Sequence, residues 1–138
     1  MNRLLLSAAG LLLVLAACLP AAGTVNPQQL AGQWTLLNIQ YADGTVSTPE
    51  FGEFTVDFDF SEERAFVVAD CNRGSGAFEA TEAGVLTFGP IAQTMMACPP
   101  GSMGTEFAMQ LNMANRYAFI DSFLHLSNQD GTSLVFQR

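Results

Sequence analysis

The seven residues from Phe54 to Phe60 constrain this chain more than any other stretch. Phe54, Val56, Phe58 and Phe60 alternate with Thr55, Asp57 and Asp59. Successive side chains of an extended strand point to opposite faces, so the alternation predicts a strand with a core face and a wet face. Sheets with one wet face are characteristically antiparallel, because parallel sheets are covered on both sides. Turn signals recur along the rest of the chain about every ten residues. Asp43-Gly44, Ser61-Glu62-Glu63-Arg64, Glu82-Ala83-Gly84, Gly89-Pro90 and Asp130-Gly131 are the clearest.

These signals bound a set of short strands. Trp34–Tyr41 is the first, with Trp34, Leu36 and Asn38 on one face and Thr35, Leu37 and Ile39 on the other. Thr45–Ser47, Ala65–Cys71, Ala77–Thr81, Val85–Phe88, Arg116–Ile120, Phe123–Ser127 and Leu134–Gln137 follow, and Asn72-Arg73-Gly74-Ser75-Gly76 reads as a break between two of them. Asn26-Pro27-Gln28-Gln29-Leu30 reads as a helical turn, with Asn26 as its cap and Pro27 at its first position. Thr105–Asn115 is the one good helix candidate. Phe107, Leu111 and Ala114 share a face, Met109 and Met113 widen it, and Glu106 places a negative charge in the first turn. The expected fold is mainly β (α+β): a small antiparallel curled sheet or barrel-like domain with one late α-helix.

The amino terminus belongs to a different class. Met1-Asn2-Arg3 is followed by an almost wholly apolar run, Leu4 to Ala17. Fourteen helical residues reach about 21 Å, short of a hydrocarbon core about 30 Å thick, so a secretory signal is expected over residues 1–17. Leu15-Ala16-Ala17-Cys18 resembles the lipobox of bacterial lipoproteins. That resemblance implies cleavage before Cys18, a diacylglycerol on its thiol and an acylated new amino terminus. An ordinary signal peptide cut after an Ala-x-Ala pattern is the alternative. Residues 18–25 would be a tether and 26–138 the folded domain. Leu19 after the cysteine, where Asp would favour retention, points to the outer membrane of a two-membrane bacterium, facing the periplasm. The membrane partner is the lipid anchor itself, since two or more chains hold stably where one does not.

The charge excludes one function class. Five basic residues stand against thirteen acidic ones, a formal net charge of −8, and lysine is absent. Nothing in that composition could track a phosphate backbone, so no nucleic acid is expected as partner.

Cys71 and Cys98 remain in the domain. In an exported protein the pair favours a bridge, closing a ring of about 28 residues and stabilising the fold by roughly 3.5 kcal/mol in the chain-entropy model. Buried free thiols are the alternative. A redox pair would need a Cys-x-x-Cys or a basic group beside a thiol.

Asp70-Cys71-Asn72-Arg73-Gly74-Ser75-Gly76, followed by Thr94-Met95-Met96-Ala97-Cys98, resembles the paired signature of the META domain, the HslJ-like family. Phe78 matches the family's aromatic residue after Ser-Gly, and Glu106 its acidic residue opening a helix. Leu30-Ala31-Gly32-Gln33-Trp34 resembles its opening, and Tyr117–Leu126 with Leu134-Val135-Phe136 its close. Asp70 stands where glycine is usual and Met95 where a basic residue is common. The resemblance implies a β-rich envelope or secreted domain associated with stress response, without a settled activity. It gathers Asn72, Arg73, Thr94 and Glu106 as a candidate binding surface.

Other motifs point to less. Gly32-Gln33-Trp34 resembles the lipocalin opening, which would imply a barrel holding an apolar ligand; the motif fixes only two residues, and closure of one core end by a tryptophan is the preferred reading. Asp57, Asp59, Glu62 and Glu63 lie on a solvated face and lack an EF-hand loop. His125 is the single histidine and points outward between Leu124 and Leu126; no metal site is expected. No Ser/His/acid spacing, Gly-x-Ser-x-Gly elbow or phosphate loop is present, so neither catalytic residues nor a cofactor are expected. The expected function is a non-enzymatic, lipid-anchored envelope domain acting by contact with a protein partner. The alternatives are an apolar-ligand binder or a hydrolase inhibitor.

Overall fold

Phe54–Asp59 forms a strand whose Phe54, Val56 and Phe58 are buried, as the alternation requires. The computed structural model describes residues 23–138. The signal peptide expected at 1–17, Cys18 and the tether up to residue 22 lie outside the described residues. Within them the chain runs through a 3-10 turn at Pro27–Leu30 and strands β1 (Gly32–Gln40), β2 (Val46–Ser47), β3 (Phe54–Asp59), β4 (Arg64–Ala69) and β5 (Asn72–Ala80). It continues through β6 (Leu86–Phe88), β7 (Ala92–Gln93), the helix α1 (Gly104–Met113), β8 (Arg116–Ile120), β9 (Phe123–Ser127) and β10 (Ser133–Gln137). The main sheet has the order β6-β5-β4-β3-β1-β10-β9-β8, with β2 added to β1 and β7 to β5. Every strand pair is antiparallel.

The two ends of that path nearly meet. The Leu86 N–H donates to the Asn115 carbonyl at 3.0 Å and the Tyr117 N–H to the Gly84 carbonyl at 2.9 Å, beside an antiparallel bridge between Val85 and Arg116. The sheet is therefore a nearly closed barrel with a seam between β6 and β8. Closure removes the exposed edges that an open sheet presents. The interior is filled by side chains, including Phe58, Phe107, Phe136, Leu30, Ile39, Leu86, Leu111, Leu124, Leu126, Leu134 and Val56, all fully buried. Phe58 packs edge-on against Phe78, and Phe107 lies between Phe54 and Phe136.

The barrel is plugged at both ends. Toward the end of β1, α1 lays Phe107, Ala108 and Leu111 on the core. Its position is fixed by Tyr41, whose hydroxyl donates to Glu106 at 3.0 Å, and by Asn128, whose amide donates to Gln110 at 2.8 Å. Toward the start of β1, Trp34 is buried and donates to the Leu30 carbonyl at 2.7 Å. The Arg138 guanidinium lies 4.6 Å over its ring and donates to the carbonyls of Gln29 and Ala31.

Three local expectations need correction. The two-residue period of β1 does not hold: a bulge between Leu36 and Asn38 shifts the register, so Trp34, Leu36 and Ile39 are all buried. A bulge inserts one residue and exchanges the faces beyond it. Asn72–Gly76 is not a break but the first half of β5, paired residue by residue with β4 from Ala69↔Asn72 to Ala65↔Gly76. The turn precedes it, at Asp70-Cys71, where Asp70 adopts φ +60°. The glycines serve close approach instead: a Cβ on Gly74 would lie 2.7 Å from the Gln93 Cβ and 2.8 Å from the Ala92 carbonyl oxygen, so glycine lets β7 cross there. Finally, Met109 and Met113 do not widen the apolar face of α1; they are 48% and 47% exposed.

Candidate functional site

The residues gathered around the cysteine motif meet in space because β5 begins immediately after the Asp70-Cys71 turn. Cys71 and Cys98 are bonded, with Cα atoms 5.5 Å apart. The bridge ties the segment after β7 back to the head of β5. Asn72 then holds that segment along its length. Its Oδ1 accepts from the Met96 N–H at 2.7 Å and from the Thr94 hydroxyl at 3.0 Å, and its Nδ2 donates to the Met96 carbonyl at 3.1 Å. Thr94 closes the lattice, its Oγ1 accepting from the Arg73 N–H at 3.0 Å and its N–H donating to the Arg73 carbonyl at 2.9 Å. Asn72 suits this role because its amide carries donors and an acceptor together, so it pairs with both backbone groups of Met96.

Of the four candidate surface residues, three lie together. Asn72 and Thr94 spend their side chains on holding the 94–98 segment. Arg73 is exposed; it donates to the Asp70 carbonyl at 3.0 Å and lies 3.7 Å from the Glu53 carboxylate. An ion pair this exposed contributes little. Glu106 is elsewhere. It faces Tyr41 and Gln110 and helps seat the helix. Burial raises the pKa of Tyr41, and the Glu106 carboxylate adds to the rise. His125 lies on β9 between Ala118 and Val135, with its Nδ1 3.4 Å from the Ser133 hydroxyl; partial burial lowers its pKa. Asp59 accepts from the N–H groups of Ser61 and Glu62, and its pKa is lowered chiefly by the Ser61 hydroxyl. It is therefore a turn residue. Among the described residues no group of three or more His, Cys, Asp or Glu side chains could hold a metal ion.

What the held segment presents is methionine. Met95 is 86% exposed and Met96 59% exposed, on a backbone fixed by Asn72, Thr94 and the disulfide. Between this segment and α1 runs an open cleft of about 300 Å³, lined by Ala69, Asn72, Gln93, Met95, Met96, Gly104, Thr105, Ala108, Met109 and Asn112. Gly104, one of its lining residues, packs on the end of β4, where an added Cβ would stand 2.9 Å from the Ala69 carbonyl oxygen. Helical periodicity assigns Met109 and Met113 to the core face and gives no place to Met95 and Met96. A signal was present nevertheless: Met95, Met96, Met103, Met109 and Met113 are five of the chain's six methionines.

With this geometry in place, comparison with known proteins gives the family. The META domain model matches residues 28–138. The chain belongs to the META domain family. The matched span runs from the 3-10 turn through the whole barrel. The META fold recurs in a protein from Burkholderia xenovorans determined by NMR, which is 24% identical, with 86% of this chain and 95% of that one covered and a TM-score of 0.67. A second NMR structure is 21% identical over 82% of this chain and 94% of that one, with a TM-score of 0.61. A DUF4847 family protein from Bacteroides vulgatus, 15% identical, covers 78% of this chain and 92% of its own, with a TM-score of 0.55. Likeness at these identities establishes the fold. No curated protein matches the sequence.

Proposed function

We propose that this META domain is a lipid-anchored, non-enzymatic binding module of the bacterial envelope, which holds an apolar segment of a protein partner in envelope maintenance or stress tolerance. The observation that carries the reading is the fixed presentation of Met95 and Met96 beside the cleft. Exposed apolar side chains on a mobile loop would be ordinary, whereas here a disulfide and several hydrogen bonds hold the backbone that carries them. Ordering such a segment before binding lowers the entropy that association must overcome. Methionine is suited to such a face because its flexible thioether adapts to different apolar partners. The anchor rests on Leu15-Ala16-Ala17-Cys18.

Affinity capture of the lipidated protein from its own membrane in mild detergent, with mass spectrometry, tests the reading. The control carries Met95→Asp and Met96→Asp, which leave the fold's hydrogen bonds intact. A partner retained by the native chain and lost by the control is expected. The same protein set from both samples would refute the reading. The apolar-ligand alternative is left with the outside of the barrel, since side chains fill its interior. The surface it would use is an open cleft of about 550 Å³ formed with Trp34, Phe119, Phe123 and Arg138.

A further inference from the structure

The same methionines carry a second chemistry that their apolar character does not use. A thioether is a soft donor, and soft sulfur ligands select Cu(I) among the metal ions a protein meets. Met95, Met96 and Met109 all line the one cleft between the 94–98 segment and α1, and none is packed into the core: they are 86%, 59% and 48% exposed. The backbone under Met96 is held through its N–H and its carbonyl by Asn72, and Met109 rides on a helix. So Met96 and Met109 hang from held backbone on opposing walls, and Met95 sits between the bonded residues Thr94 and Met96. Their side chains, with three rotatable bonds each, can turn toward a common centre at little cost.

We propose that Met95, Met96 and Met109 form a three-thioether site for a soft monovalent cation, Cu(I). The surroundings favour a cation. The chain carries a formal charge of −8 and no lysine, so its field draws positive ions inward. Competing soft donors are absent from the cleft: both described cysteines are in the disulfide, and His125 lies on β9. A thioether holds no proton at ordinary pH. The site therefore has no proton to release on binding, unlike thiolate or imidazole sites. Its ligands therefore lose nothing to protonation between pH 7 and pH 5.

The test uses the full chain purified in detergent, with its methionine methyl groups labelled with ¹³C. It is titrated with Ag(I), a redox-inert stand-in for Cu(I), and then anaerobically with Cu(I). The expected result is a saturable shift of the Met95, Met96 and Met109 methyl signals at one ion per chain, equal at pH 7 and pH 5, with Met103 unmoved. Met95→Leu combined with Met109→Leu keeps the apolar surface and the fold but removes two of the three soft donors, and abolishes the saturable one-ion shift. Absence of a saturable shift, equal binding by the leucine variant, or loss of binding at pH 5 would each overturn the site. The leucine variant also separates this inference from the protein-partner reading, because it still captures a partner that recognises only apolar surface.

Discussion

At the scale of single residues, the informative positions are those where the chain departs from its family's pattern or from simple periodicity. Asp70 stands where the resemblance leads one to expect glycine, and the reason glycine would suit the position is visible: the residue turns from β4 into β5 with φ +60°. Aspartate tolerates that region better than most residues, yet a Cβ there still costs about 1 kcal/mol. The Asp70 Oδ2 is also buried without a hydrogen-bond partner. Asp70→Gly should therefore raise stability by about 1 kcal/mol, read as an upward shift of the urea midpoint at unchanged slope; a drop would show that the carboxylate has an unrecognised role. The sequence carried the departure but not its cost, since nothing local reveals a dihedral angle. Asn72 was legible as a residue suited to turns. Its actual work, satisfying both backbone groups of Met96, joins residues 24 positions apart, and no local pattern encodes such a pairing.

At the scale of elements, strands were the easier reading. The period of two in β3 and the alternation of buried Ala65, Val67 and Ala69 in β4 follow from a sheet with one covered face. Reading failed where another element intruded. Gly74 and Gly76 look like loop residues in one dimension; in three they belong to a strand that Pro90–Gln93 approaches closely, with β7 paired alongside at Gly74. The helix was placed within two residues of its observed span, Gly104–Met113, but its methionines were assigned to the wrong side. A buried stripe and an exposed soft one have the same hydropathy, and only the packing partner distinguishes them. Gly104 shows how tightly α1 is seated. Gly104→Ala places a methyl group 2.9 Å from the Ala69 carbonyl oxygen. Backbone cannot swing aside as a side chain can, so α1 must shift, at a cost of about 1–3 kcal/mol. Thermal unfolding checks the loss, and an unchanged melting temperature would mean that the helix slides freely.

At the scale of the whole molecule, the barrel is strong everywhere except at one seam. Long ladders join β1 to β3 and β10, and β4 to β3 and β5, while the seam between β6 and β8 is held by the Leu86 and Tyr117 amides and by the Tyr117 hydroxyl, which donates to the Thr81 carbonyl. Local opening should therefore begin there. Native-state hydrogen exchange is expected to find Leu86 and Tyr117 less protected than Val56 and Val67; equal protection would mean that the barrel opens only as a unit. Fold class was readable because turn spacing and alternation are local signals, whereas the meeting of β6 with β8 depends on the curl summed over all the strands between them. The pairing of β1 with β10 has a consequence in time. The first strand of the barrel pairs early with β3 but finds its other long-ladder neighbour only in β10, at Ser133–Gln137. Until a ribosome has released them, β1 lacks one partner and β9 another, and Arg138 is not yet over Trp34 to seal that end. A nascent copy of this protein therefore cannot complete its barrel faster than its own synthesis allows, and the time the chain spends without a closed sheet is set by translation, not by the speed of strand pairing.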